Sequence, residues 1–160
     1  GHSEYVPCTM DHAVLDDEAQ VLYWAHRARD ASEAVEDTVM GRPLGPAGQF
    51  AGDAHELEGV RLVKYPGKHR APFDVLALAG GRVLVAWLHR HHDGTTELRS
   101  RIFSHAGAAL STSLTVAEAR SPTDPHLVPT ADPDAPLLVY LDREKDGRTT
   151  RVWVAQLQIH

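Results

Sequence analysis

The stretch VLYWAHR, residues 21–27, returns as LVAWLHR at residues 84–90 and more loosely as LLVYLDR at residues 137–143. Each is an apolar run that reaches an aromatic residue and, two positions later, a His or Asp followed by Arg. Aligning Trp24, Trp87 and Tyr140 gives spacings of 63 (87 − 24) and 53 (140 − 87) residues. Self-similarity at such a spacing points to copies of one supersecondary unit.

The flanks repeat as well. Upstream stand HAVLD, FDVLALA and HLVPTA, followed by the turns DDEA, GG and DPDAP. Downstream come EDTVMG, TELRSRIF and RTTRVWVAQL. In the first two copies a small-residue turn, GPAG or SHAG, leads to a fourth run, VRLVKY or TSLTVAEA. Runs of this length, rich in Val, Leu and aromatics and bounded by Gly, Pro or Asp, read as strands. HDGTTEL and KDGRTTR place Asp-Gly between strand-like flanks, a strong hairpin signal because Gly readily takes positive φ. Each repeat therefore reads as a four-stranded antiparallel meander, within a single all-β domain over residues 1–160. The repeats span about 11–66, 72–120 and 124–160. The third lacks a fourth run, and EYVPCTM, residues 4–10, has the character to complete it.

One segment gives conflicting signals. Residues 16–37 are rich in helix formers, with Asp16 or Asp17 as an N-cap, and in isolation they predict a helix. The repeat predicts a strand over Val21–His26 and a longer hairpin connection at 28–36 with room for a helical turn. The repeat is preferred, since tertiary context overrides propensity.

Composition limits the function classes. Sixteen Lys and Arg against 22 Asp and Glu give a net charge of −6. That argues against nucleic acid and anionic membranes, which need a positive surface. No apolar run approaches the roughly 20 residues of a membrane span. Cys8 is the single cysteine, so no internal disulfide forms. No signal-peptide pattern opens the sequence, which leaves the compartment open. Thirteen Arg to three Lys, no Asn and abundant Ala suggest a GC-rich bacterial coding sequence.

The order of strand, turn, LVAW, Asp-Gly hairpin, RSRIFSHAG and fourth strand resembles the blades of a divergent bacterial β-propeller. The sialidase-type Asp box and the WD dipeptide are absent. The resemblance implies an extracellular or periplasmic binding protein, with an N-terminal strand closing the last blade. Propellers have roughly four to eight blades, so three imply a half-propeller or fragment: a homodimer closing one ring, or a piece of a larger assembly. A β-trefoil is the alternative, with three four-stranded repeats in this length, though no Q-x-W motif supports it.

Several residues are candidates for chemistry. His89 and His91 share one strand face and could form half of a metal site, for which a third ligand is missing. An exposed polar hairpin is the preferred reading. Cys8 has no nucleophile signature around it. The carboxylate clusters at 16–18, 132–134 and 142–144 fall in turns, where Asp bonds its own backbone. In a propeller, the connections after WAHR, WLHR and YLDR share a face with the linkers PGKHRAP and RSPTDP. That face gathers His26, Arg27, His69, Arg70, His89, Arg90, Asp142 and Arg143, with His91, His92 and Asp124 beside them. Repeated Arg and His suit a carboxylate, sugar or acidic peptide through bidentate donors. The same residues would also keep sheet ends soluble.

The expectation is a non-enzymatic module that binds a protein partner or glycan through loops on one face, with no cofactor. Two alternatives stand beside it. One is a propeller glycosidase or metal-dependent hydrolase. The other is a structural subunit that completes a ring with another chain.

Overall fold

Alternating and continuous apolar runs fold here into strands alone. The computed structural model describes residues 10–15, 19–29, 35–62, 72–91, 93, 95–116, 121–143 and 146–159. Among them there is no helix, and none long and apolar enough to cross a membrane. Three antiparallel sheets account for the strands. Sheet 1 holds β1 (Met10–Val14), β2 (Gln20–Arg29), β3 (Val35–Leu44) and β4 (His55–Glu56), in that order. Sheet 2 holds β5 (Phe73–Leu78), β6 (Arg82–Arg90), β7 (Thr96–Ser104) and β8 (Leu114–Thr115). Sheet 3 holds β9 (Pro122–Val128), β10 (Leu137–Arg143) and β11 (Thr150–Gln156).

The segment with helical composition is strand β2, paired from Arg29↔Val35 to Gln20↔Leu44. Residues 30–34 lie outside the described ones. One expectation about strands is corrected. The fourth strand of the first repeat is His55–Glu56, paired with Met40 and Gly41, and not VRLVKY. Val60 and Leu62 of that run are buried in the linker instead, and 63–65 lie outside the described residues. Met10 opens β1 of sheet 1, opposite Trp24. Residues 4–9, Cys8 included, lie outside the described residues.

Hairpin chemistry follows the turn residues. Between β5 and β6, Gly80 and Gly81 both take positive φ, 74° and 68°. In the two Asp-Gly hairpins the Asp side chain closes the turn. Asp93 accepts from the backbone and hydroxyl of Thr95, and Asp146 from the same groups of Thr149. These bonds hold both carboxyls below their usual range.

The sheets stack in chain order, with sheet 2 in the middle. One core cluster joins sheet 1 to sheet 2 through Val21, Tyr23 and Val39 against Phe73, Val85, Trp87 and Phe103. A second joins sheet 2 to sheet 3 through Leu84, Leu88 and Leu98 against Leu127, Leu138 and Tyr140. Alternation along β6 feeds both clusters: Val83, Val85 and Trp87 point one way, and Leu84, Ala86 and Leu88 the other. Every residue from Val83 to His89 is buried in consequence. This is why VLVAWL reads as a continuous apolar run. The first strands of successive sheets are neighbours, β1 beside β5 and β5 beside β9.

At the outer edge of the first seam, the turn between β7 and β8 abuts β4. Glu58 N donates to Gly107 O at 3.2 Å. Gly107 has φ +90°, and a Cβ there would meet the Glu56 carbonyl oxygen at 2.7 Å. Only glycine meets both conditions.

Candidate functional site

The linker after β4 sets the geometry of one end of the stack. Leu62 N donates to Asp37 O on β3 at 2.7 Å, and Leu62 bridges to His89 on β6. Pro72 O accepts from Leu88 N at 2.8 Å. The base of the β2–β3 hairpin, the linker and the end of β6 thus meet in one place. An equivalent contact occurs at sheet 3, where Ser121 N donates to Asp142 Oδ1 at 2.7 Å.

A polar row runs out of the core here. His89 follows Trp87 on the same strand face, and the Trp87 indole N–H donates to His89 Nδ1 at 3.3 Å. Only 8% of His89 is exposed. Burial, and then the positive charge of Arg99, lower its pKa from 6.5 to about 4. The imidazole is therefore neutral at pH 7. With Nδ1 accepting from the indole, its proton sits on Nε2. The His91 ring stands edge-on, 5.1 Å from that of His89. His91 Nε2 lies 3.1 Å from Glu97 Oε2, and the other Glu97 oxygen takes Arg99 Nε. Burial alone would raise the Glu97 carboxyl, but His91 and Arg99 outweigh it and hold it low. Register explains the grouping, since His89 lies opposite Glu97 across β6 and β7.

The residues expected on this end are found in four situations. His26 is exposed near the end of β2, opposite Thr38. Arg27, Arg90 and Arg143 hold matching strand positions, opposite Asp37, Thr96 and Thr150, each at the hairpin end of its second strand. Arg143 is exposed. His89 and Asp142 are buried, and Asp142 is engaged by Ser121, so neither presents itself to solvent as a loop-face ligand would. His69, Arg70 and His92 lie outside the described residues. As for metal, both histidines of the expected pair have partners already, Trp87 and Glu97. Among the described residues no group of three or more His, Cys, Asp or Glu is placed to hold an ion.

Glu97 and Arg99 carry the row outward. Sequence reading misses them because TELRSRIF reads only as strand. It also missed a second polar set, on the first strands. Asp11 Oδ2 accepts from Val75 N at 2.9 Å, and Asp74 Oδ2 from Leu127 N at 2.6 Å. Each carboxyl thereby ties its sheet to the next. Burial, then a hydrogen bond with Asp11, raise Asp74 from 3.8 to about 7. His126 occupies the matching place on β9, with Nδ1 3.8 Å from Asp74 Oδ2. A signal existed: Asp11 and Asp74 both stand 13 residues before the repeated Trp (24 − 11 and 87 − 74).

No protein-family model matches this chain, and no curated protein matches it either.

Proposed function

We propose that the chain is a non-enzymatic binding module of β-propeller type, which holds a carboxylate-bearing ligand at its hairpin-and-linker end. The ligand is an acidic segment of a protein partner or an acidic glycan. The observation that carries this reading is the convergence of Asp37, Leu62 and His89 around the row His89–His91–Glu97–Arg99. Rigid strands position polar groups there, while the connections supply the contact surface. Arg143, exposed at the hairpin end of sheet 3, is the donor for a carboxylate. Three sheets stacked in chain order, with neighbouring first strands, favour blades over a trefoil.

A glycosidase reading is less well supported. The carboxyls of Asp11 and Asp74 bond to each other and to backbone amides. A glycosidase pair stands roughly 5–9 Å apart across an open cleft.

The test is a titration with a poly-glutamate peptide and with polygalacturonate, before and after the change Arg143→Ala. Loss of one charge-assisted contact weakens binding about tenfold or more. Added salt weakens it further. Binding that ignores both changes, or no binding to either probe, contradicts the reading.

A further inference from the structure

Both seams inside the chain follow one rule. The face of a sheet that carries the repeated aromatic, Trp87 or Tyr140, packs on the opposite face of the sheet before it. Among the described sheets two faces are left over, one at each end of the stack. On sheet 1 it is the Trp24 face, which register shares with Met10, Leu22 and Met40. On sheet 3 it is the face opposite Tyr140, made of Val128, Val139, Val152 and Val154. These are the two halves of one more seam of the same kind. They are also open, with Met10 62% and Val152 67% exposed. Register also puts His12 and Arg42 on the first face and His126 on the second, so each is an exposed apolar cluster with polar neighbours, the make-up of an interaction surface.

We propose that a second copy of this chain covers both faces, head to tail, so that sheet 3 of each copy lies on sheet 1 of the other. The result is a closed two-fold ring of six sheets. This rests on the propeller reading. Three arguments select a second copy as occupant. The missing half of each seam is a surface this chain itself carries. The three described sheets of two copies make six, within the roughly four to eight blades of a closed propeller. A head-to-tail contact must close or grow into a filament, and two copies suffice to close it. The first strands follow the same sequence of contacts. Asp11 reaches β5 and Asp74 reaches β9, while His126, third in the series, is exposed with its Nδ1 3.8 Å from Asp74 Oδ2.

The test uses two charged variants, Met10→Lys on sheet 1 and Val152→Glu on sheet 3, weighed by native mass spectrometry. Both positions are exposed, so each chain still folds, as circular dichroism will check. The wild type is expected at about 35 kDa, twice 17.5 kDa. Each variant alone has both seams spoiled and is expected at 17.5 kDa. An equimolar mixture of the two restores a dimer, because one seam is then wild type and the other faces Lys with Glu. Leu114→Glu, exposed on the middle sheet, leaves the dimer intact. A monomeric wild type overturns the proposal. So does a Met10→Lys variant that stays dimeric, which would mean pairing through sheet 3 alone, or a mass that climbs with concentration. A monomer that still binds the acidic probes sinks the ring and leaves the proposed function standing. A ring that binds neither probe does the reverse.

Discussion

Trp87 and Trp24 occupy the same position in two copies of one sheet, yet their surroundings differ. Trp87 is 1% exposed, between sheets 1 and 2, and bonds His89. Trp24 is half-buried, on a face that no described sheet covers. The motif around each is nearly identical, so place in the stack decides burial. A sheet in the middle is covered on both faces, and an end sheet on one.

The largest expected effect follows directly. In the Val152→Glu background, where the end faces are open, Trp87→Ala should cost about 3–5 kcal/mol, the usual result of emptying a packed aromatic site. Trp24→Ala in the same background should cost about 1–2 kcal/mol, in keeping with its partial burial. Urea unfolding of the two variants measures the gap. Equal costs would break the comparison between middle and end sheets.

A pair of glycines sharpens it at the seam. Gly80 and Gly107 both have positive φ, and a Cβ at Gly80 meets nothing within 4 Å. Gly80→Ala should cost about 1 kcal/mol, from backbone strain alone. Gly107→Ala adds a clash with the Glu56 carbonyl of the neighbouring sheet and should cost about 3 kcal/mol. Thermal unfolding distinguishes them. If the two variants melt together, the β4 edge does not press on the β7–β8 turn.

Two titrations with opposite signs separate the first strands from the hairpin end. Asp74 has its pKa raised from 3.8 to about 7, with Asp11 and His126 facing it. Its folded state binds the extra proton, so its contribution is full below pH 3.8 and is lost as pH rises through about 7. His89, faced by Arg99, His91, Glu97 and Arg61, has its pKa lowered from 6.5 to about 4. Its contribution is full above pH 6.5 and is lost as pH falls through about 4. Asp74→Asn keeps an acceptor for Leu127 N and can donate to Asp11. It should raise stability at pH 8 by about 1 kcal/mol, seen as several degrees in Tm. His89→Gln should make stability fall less steeply between pH 6.5 and 4. Melting curves across pH 4–8 read both effects. A Asp74→Asn variant less stable than wild type at pH 8 would show that the carboxyl is ionised and needed in that form.

Leu114→Glu should be the smallest change, within about 0.5 kcal/mol. It lies on the middle sheet but at its exposed outer edge, so the rule concerns faces and not whole sheets.

Much of the fold was legible because the repeat supplied three readings of the first three strands and two of the fourth. The helical composition of 16–37 misleads on its own, and alignment with LVAWLHR corrects it to a strand. The Asp-Gly signals located two hairpins through local chemistry. The fourth strand of sheet 1 was not legible. His55–Glu56 is only two residues long and carries no apolar signal. VRLVKY alternates as a strand does, but Val60 and Leu62 plug the linker instead. At the candidate site, spacing located the Arg positions and the His89–His91 pairing. The burial of His89 was hidden, because its cover comes from Leu62, a linker residue far away in sequence. The Asp11–Val75 and Asp74–Leu127 contacts depend on which sheet stacks on which, and no local pattern encodes that.

The most direct test of this account is amide hydrogen exchange on the wild type and on Val152→Glu. The substitution lies on sheet 3. If copies close head to tail, exchange should quicken in β1 and β2 of sheet 1, at the other end of the stack, while β6 stays slow in both proteins. Faster exchange confined to β9–β11, with sheet 1 unchanged, would contradict the account.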